Sequence, residues 1–154
     1  MQKVGTNPLK NARSGEIRTE DKPLREFAER FGVELVILFG SAAKGQKQPE
    51  DVDIALVLSE QKRIRHEQDM RAYSKLWIAL GKTLGVSPDI LDITFISPKT
   101  PPFLLFSIAR DGKRLFGDAA KFSAFRLKAV KMFFDAAMFR RARREYIQKF
   151  FYGR

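Results

Sequence analysis

Residues 51–58, DVDIALVL, most limit how this chain can fold. Alternate side chains of a strand point to opposite faces, so Asp51, Asp53, Ala55 and Val57 share one face. The other face is entirely aliphatic, and the first becomes apolar after its two aspartates. A strand that is apolar on both faces is covered on both sides. The segment is therefore predicted to be a central strand with helices packed against it.

The spacing of three further apolar runs predicts a mixed sheet. Residues 35–39, LVILF, are joined to the central strand by a loop of about ten residues, which is short for a parallel crossover. A long helical pattern over 60–84 precedes the run DILDITFIS, residues 89–97, and permits parallel pairing. Residues 113–117 are predicted to be a short strand or an edge segment. The fold class is α+β, a small mixed β-sheet with helices packed on it and a long C-terminal helix. Helices are predicted over 23–31, 60–84, 101–112 and 119–150.

The residue types present restrict any metal site to oxygen ligands. The chain has no cysteine and one histidine, His66, which excludes disulfides, thiol nucleophiles and multi-histidine metal sites. A metal must then bind to carboxylates, which favours a hard ion such as Mg²⁺. His66 itself lies among charged residues of the predicted helix, so we expect it on the solvated surface.

Positive charge is concentrated at the C-terminal end. The net charge is +11, and residues 119–154 hold ten Lys and Arg against two acids, or +8 of that total. Such a surface attracts nucleic acid, nucleotide phosphates or an acidic protein, and a solvated helix face gives the same pattern. No segment reaches the roughly 20 apolar residues of a membrane span. Residues 1–22 lack the apolar core of a secretory signal and read as a flexible arm, so we expect a cytoplasmic protein.

Three aspartates indicate a catalytic metal site. Asp51 and Asp53 point the same way at the start of the central strand, and their mutual repulsion favours a bound cation. Asp92 lies within an otherwise apolar strand, where a buried carboxylate is costly unless it is paired or hydrogen-bonded. If the two strands are neighbours, the three carboxylates converge as two-metal phosphoryl transfer requires. Asp89 is the rival third carboxylate, but it has the opposite strand parity to Asp92 and follows a proline.

A Gly-Ser turn supplies a candidate anion site. The first strand stops at Gly40 and Ser41, and a turn of this kind exposes backbone N–H groups and a hydroxyl to a phosphate. Lys44 lies one turn later and can reach the same anion. Most Gly-Ser pairs are only turns, and D-x-D is common at strand starts. Their combination with a third aspartate, in this order, is what indicates nucleotide chemistry.

The segment LFGSAAKGQKQPEDVDIALVL, residues 38–58, resembles the signature of the DNA polymerase beta-like nucleotidyltransferase superfamily. The third aspartate of that family lies in a later strand, and LDITFI at 91–96 is similar. Residues 102–118 resemble the family's helix and final short strand. The chain looks most like the minimal nucleotidyltransferases, and the resemblance implies their nucleotidyltransferase fold. The predicted organisation is an arm (1–22), a nucleotidyltransferase domain (23–118) and a basic helix packed on it (119–154).

The resemblance implies a role for each matching residue. Gly40 and Ser41 would hold the nucleotide's phosphates, and Asp51 and Asp53 would bind both Mg²⁺ ions. Asp92 would bind the ion next to the acceptor hydroxyl and help to deprotonate that hydroxyl. The reaction would move a nucleoside monophosphate from an NTP to the acceptor and release pyrophosphate.

The chain departs from the family pattern near this site. The loop between the turn and the first aspartate is one residue shorter than is usual in the family. Lys44 stands where arginine is usual, and Glu50 replaces a common serine. None of these changes removes a carboxylate.

By the same resemblance, the first functional hypothesis is a Mg²⁺-dependent protein adenylyltransferase that uses ATP. Minimal nucleotidyltransferases are often the antitoxin of a pair whose toxin is an all-helical HEPN-type ribonuclease, and such members transfer AMP onto a tyrosine of the toxin. A second hypothesis is a small-molecule enzyme of the aminoglycoside type, although those usually carry a longer C-terminal domain. A third is a binding module for RNA or an acidic partner, which has no need of three costly carboxylates.

The predicted C-terminal helix carries two different surfaces. Its apolar stripe is expected to pack on the domain and comprises Phe125, Ala129, Met132, Phe133 and Ala136. Arginine suits carboxylate and phosphate partners through planar, bidentate hydrogen bonds. We therefore expect the basic block beyond the stripe to contact the partner or its nucleic acid. That block comprises Arg140, Arg141, Arg143 and Arg144, with Tyr146, Phe150 and Phe151.

Overall fold

The computed structural model describes residues 17–46 and 49–153. Most of the predicted N-terminal arm, residues 1–22, lies outside the described residues. A single 3₁₀ turn, Pro88–Ile90, precedes the third strand. The elements are α1 (Asp21–Phe31), β1 (Val33–Phe39), α2 (Gly40–Ala43), β2 (Val52–Leu58), α3 (Glu60–Gln68), α4 (Met70–Leu84), β3 (Leu91–Phe95), α5 (Pro102–Asp111), β4 (Lys113–Phe116) and α6 (Ala119–Tyr152).

Four strands form one mixed sheet in the order β3-β2-β1-β4. Strand β1 pairs antiparallel with β2 and β4, whereas β2 and β3 are parallel. The short connection from β1 to β2 favours antiparallel pairing, and α3 and α4 provide the longer crossover that a parallel pair needs. The predicted α+β class, the mixed sheet and the central position of the second strand are confirmed.

Helices cover both faces of the sheet. On one face, Ile54 and Leu56 of β2 are fully buried in a core shared with α1 and α4. On the other face, Ala55 of β2 and Ile37 of β1 pack with Ile108 of α5. Full burial of a leucine or isoleucine side chain contributes about 1.5–3 kcal/mol. The aspartates at the start of β2 are therefore attached to a central and largely buried strand.

The helix predicted over residues 60–84 is two helices, because the chain breaks at Asp69. The backbone of Asp69 is extended. The Asp69 carboxylate accepts hydrogen bonds from the backbone N–H groups of Arg71 (2.9 Å) and Ala72 (3.3 Å). An aspartate at this position satisfies N–H groups that the start of a helix leaves free. The side chain thus favours a new helix start over a continuous helix.

His66 of α3 is buried, so the expectation of a surface histidine is wrong. Only 8% of the residue is exposed. Its ring centroid lies 6.1 Å from that of Phe31 and 6.2 Å from that of Phe95, on which it stacks. Those two phenylalanines come from α1 and β3, which lie far from α3 in the sequence. The burial is therefore a tertiary effect that the charged local sequence does not reveal.

Helix α6 has one covered half and one exposed half. Ala129 is fully buried beside Leu105 and Ala109 of α5, and Phe133 stacks on Phe106 with ring centroids 4.2 Å apart. Every residue from 138 to 153 is exposed. We call residues 138–152 the distal segment. In the described part of the chain, no helix is both long and apolar enough to cross a membrane.

Candidate functional site

The end of β1 places the predicted Gly-Ser turn against the start of β2. Phe39, the last residue of β1, pairs with Asp53, and the chain then enters the short helix α2. Gly40 has a φ of 69°, in the left-handed region that disfavours side chains. A Cβ atom at this position would overlap Oδ2 of Asp53. Glycine is therefore favoured at this position for two reasons: it adopts the left-handed backbone angle, and it leaves space for the Asp53 carboxylate.

Neighbouring strands place two of the three aspartates side by side. Asp53 on β2 is the register partner of Asp92 on the parallel strand β3. Adjacent strands are about 4.8 Å apart, and residues in register point to the same face. Asp51 precedes the first residue of β2. The fold thus brings Gly40 and the three predicted carboxylates together where β1 ends and where β2 and β3 begin.

The electrostatics of Asp53 show that the three carboxylates act on one another. Partial burial raises the pKa of Asp53, and the negative charges of Asp92 and Asp51 raise it further. Among the described residues, no ion pair neutralises any of the three. A divalent cation would remove this repulsion, and carboxylate oxygens are ligands that Mg²⁺ prefers. The donor set fits a hard cation, although no three such side chains of residues 17–46 and 49–153 already enclose a metal position.

Asp92 is exposed, so its interpretation as a costly buried carboxylate is wrong. Strand β3 lies at the edge of the sheet, which leaves the side chain in contact with solvent while it stays beside Asp53. Asp89 lies in the 3₁₀ turn before β3, outside the ladder with β2. The register favours Asp92 over Asp89 as the third carboxylate, and that assignment stays a prediction.

Lys44 follows α2 directly and reaches towards the end of α5. Its Nζ lies 3.8 Å from Oδ2 of Asp111, and the lysine side chain is largely exposed. Asp111 also accepts a 2.7 Å hydrogen bond from Arg110, and hydrogen bonding from Arg110 lowers the pKa of Asp111. Because Arg110 already satisfies this carboxylate, Lys44 can turn from it to an anion at the Gly-Ser turn at little cost.

Tyr73 is a residue close to the site that the sequence did not indicate. Burial raises the pKa of its phenol, and the negative charge of Asp92 raises it further. The ring meets Phe95 edge-on at 6.1 Å, and one turn later Trp77 donates a 3.1 Å hydrogen bond to the carbonyl of Leu91. Helix α4 is thus attached along β3. The four-residue spacing of Tyr73 and Trp77 was the available signal, since such residues share a helix face.

The family model for polymerase beta nucleotidyltransferases matches residues 22–121. The chain belongs to this family. The matched range contains the Gly-Ser turn and all three predicted carboxylates. Among curated proteins, no sequence matches the chain.

Solved structures of the same fold come from toxin–antitoxin systems. A toxin–antitoxin structure with AMP-PNP is 20% identical, with a TM-score of 0.59 over 82% of this chain and 96% of that chain. A complex of tri-AMPylated HEPN toxin with MNT antitoxin from Shewanella oneidensis is 18% identical, with a TM-score of 0.56 over 92% and 99% of the two chains. A mutant of the MntA-HpeT toxin–antitoxin is 18% identical, with a TM-score of 0.60 over 84% and 98%. At these identities the similarity shows the fold, so the predicted nucleotidyltransferase fold is confirmed.

Proposed function

We propose that this nucleotidyltransferase is a Mg²⁺-dependent protein adenylyltransferase that moves AMP from ATP onto a tyrosine of a HEPN-type partner. The observation that carries the proposal is the register of Asp53 with Asp92, with Gly40 packed against Asp53. The choice of ATP and of a HEPN partner is supported by two structures of similar fold, one with AMP-PNP and one with an AMPylated HEPN toxin.

The proposed reaction exchanges one phosphorus–oxygen bond for another. The oxygen of the acceptor hydroxyl bonds to the α-phosphorus of ATP, and the bond from that phosphorus to the bridging oxygen breaks. Pyrophosphate leaves with the electrons of that bond, and Asp92 accepts the proton of the hydroxyl. Asp51, Asp53 and Asp92 would hold two Mg²⁺ ions, which neutralise phosphate charge when they are bound.

The Gly-Ser turn would position the nucleotide. Gly40 and Ser41 offer their backbone and a hydroxyl to the phosphates at close range, because the glycine has no side chain to obstruct the approach. Lys44 adds a positive charge one turn away. Tyr73 lies close enough to Asp92 for the carboxylate to raise the pKa of its phenol, which places an aromatic side chain beside the proposed acceptor position.

A labelling experiment tests the proposed function. The chain is incubated with a HEPN-type partner and ATP labelled with ³²P at either the α or the γ position. We expect the α label to appear on the partner in Mg²⁺, to fall to background in excess EDTA, and the γ label not to appear. Undiminished α labelling in EDTA would contradict the metal mechanism. Transfer to an aminoglycoside in place of the partner would favour the small-molecule hypothesis.

The distal segment of α6 supports the choice of a protein acceptor. Its large aromatic residues are exposed, with Phe139 at 73%, Tyr146 at 67% and Phe150 at 71%. Exposed apolar patches mark interaction sites, and a helix without tertiary contacts is only marginally stable in water. A partner that covers the segment would bury these rings and stabilise the helix. The exposed arginines of the same segment suit an acidic or phosphate-bearing surface.

Replacing the four arginines of the distal segment with glutamine is expected to weaken binding of the HEPN-type partner. The loss should be larger at low salt than at high salt, because exposed charges are screened. ATP binding should stay unchanged, since the segment extends beyond the covered half of α6. Partner affinity and ATP affinity are measured by calorimetry. Loss of ATP binding with normal partner binding would instead assign the segment to the catalytic cleft. The charge-matched control replaces four exposed cations elsewhere: Arg71, Lys82, Lys99 and Lys113.

A further inference from the structure

A cavity lined by basic residues lies between α1, α3 and α4. Its volume is about 300 Å³. In the described part of the chain, no acidic side chain lines it. We call it the basic cavity. The lining residues are Arg30, Phe31, Lys62, Arg65, His66, Ala72 and Lys75.

The basic cavity is separate from the aspartate site. Phe39 pairs with Asp53 at one end of the β1–β2 ladder, and Val33 pairs with Leu58 at the other. Helix α1 leads into that second end, and α3 leads out of it. At about 3.4 Å per residue, the five steps from Asp53 to Leu58 span about 17 Å. A ligand in this cavity therefore does not touch the predicted metal ligands.

The positive charges around the cavity are not neutralised within the described residues. None of Arg30, Lys62, Arg65 and Lys75 forms an ion pair there. The nearby acid on α3, Glu67, is already bound by Arg63 at 2.9 Å. Several like charges around a small volume repel one another, and a bound anion relieves that repulsion.

The side chain of Lys62 lies over the end of α1. Gly32 ends that helix in the left-handed conformation, with a φ of 68°. A Cβ atom on Gly32 would overlap the end of the Lys62 side chain, so the glycine leaves the space that the lysine occupies. The lysine lines the cavity at this end while its side chain stays exposed to solvent.

His66 gives an independent indication of a ligand. The residue is 92% buried, since 8% is exposed, and its Nδ1 has no hydrogen-bond partner among the described residues. Buried polar atoms are nearly always paired, so an unpaired one needs an explanation. The ring is positioned by stacking on Phe95 and by contact with Phe31, and not by hydrogen bonds. His66 is one of the residues that line the basic cavity, so an anion bound there lies beside its ring.

We propose that the basic cavity binds a small phosphate-bearing anion. Arginine guanidinium groups bind phosphate oxygens through two parallel hydrogen bonds. Lysine ammonium groups add a compact positive charge. The volume of the basic cavity lies at the lower end of the range for ligand pockets, which is about 300–1,000 Å³. It accommodates one or two phosphate groups, whether these come from inorganic phosphate, from pyrophosphate or from a free nucleotide. The proposal does not depend on the proposed transferase function.

Calorimetric titration of the full chain tests this site. Inorganic phosphate, pyrophosphate and AMP are each titrated in chloride buffer with EDTA, so that metal-dependent binding at the aspartates does not contribute. We expect the double variant Lys62→Gln with Arg65→Gln to bind the anion of highest affinity about tenfold more weakly or worse, since charged hydrogen bonds are lost. The control is Lys82→Gln with Lys99→Gln, which removes the same charge from two exposed residues outside the cavity and should bind as wild type. Comparison of the three ligands identifies the source of the phosphate.

Three results would overturn the proposal. These are equal weakening in both double variants, unchanged binding in the cavity variant, and no binding of any of the three anions by the wild-type chain. A single-stranded RNA whose binding depends on Lys62 and Arg65, while the small anions do not bind, would assign the surface to nucleic acid. Melting temperatures establish that both variants are folded. His66→Phe keeps a ring between Phe31 and Phe95 and provides a second test, in which phosphate affinity should fall without loss of stability.

Discussion

Asp53→Asn is expected to slow nucleotidyl transfer by about a thousandfold, which corresponds to about 4 kcal/mol of transition-state stabilisation from metal binding. The change keeps the shape of the side chain and removes the charge that lies between Asp51 and Asp92. Initial rates of α-label transfer measure the loss. Asp92→Asn should have a similar effect, whereas Asp89→Asn should keep the wild-type rate. The reverse order of the last two variants would make Asp89 the third ligand.

Asp53→Asn is also expected to change the stability of the fold, which is measured independently of its effect on the transfer rate. The pKa of Asp53 is raised above its ordinary value of 3.8 in the folded chain. A raised pKa means that the ionised carboxylate destabilises the fold, and that this penalty is present at neutral pH and disappears as the pH falls below the ordinary value. Without metal, Asp53→Asn should therefore raise the melting temperature at neutral pH and change it little in acid. A lower melting temperature at neutral pH would show that the carboxylate stabilises the apo fold.

Gly40→Ala is expected to slow transfer by about a hundredfold, because a misplacement of about 1 Å in a catalytic group costs that much. The new Cβ would overlap Oδ2 of Asp53 and displace the carboxylate. Gly45→Ala is a matched control. Its φ is 82°, and nothing lies within 4 Å of the position that its Cβ would take.

Both alanine variants carry the same backbone strain, about 1–2 kcal/mol for a left-handed residue. Both melting temperatures should fall, that of Gly40→Ala further because its Cβ also overlaps Asp53, and only Gly40→Ala should lose most of its rate. If Gly45→Ala loses as much rate, strain in the loop explains the effect, and the contact between Gly40 and Asp53 does not.

Local patterns in the sequence were sufficient for the fold class and for the position of Asp53 at the start of the central strand, whereas Asp51 lies just before that strand. The two-residue period of a strand determines which side chains share a face, and a slip of one residue would reverse both faces. Loop length then decided between antiparallel and parallel pairing. The break at Asp69 was missed because the charged segment before it has no apolar pattern that would mark a separate helix, although aspartate is a common start of a helix.

The remaining features depend on contacts between distant parts of the chain. Asp92 is exposed because β3 is an edge strand, and strand order is not encoded in the local pattern of β3. His66 is buried by Phe31 and Phe95, which come from two other elements. The approach of Lys44 to Asp111 likewise joins α2 to α5 across 67 positions of sequence. The spacing of apolar residues along the sequence does not predict contacts between residues this far apart.

The edge position of β3 makes the predicted site sensitive to local opening. Strand β2 has a neighbour on each side, whereas in the described sheet β3 pairs with β2 alone and is held from outside by the indole of Trp77. Peripheral strands open at a lower free energy than the centre of a sheet, without global unfolding. Each opening of β3 carries Asp92 away from Asp53 while β1, β2 and β4 stay paired. We therefore expect the predicted site to be lost on heating while most of the helix content remains.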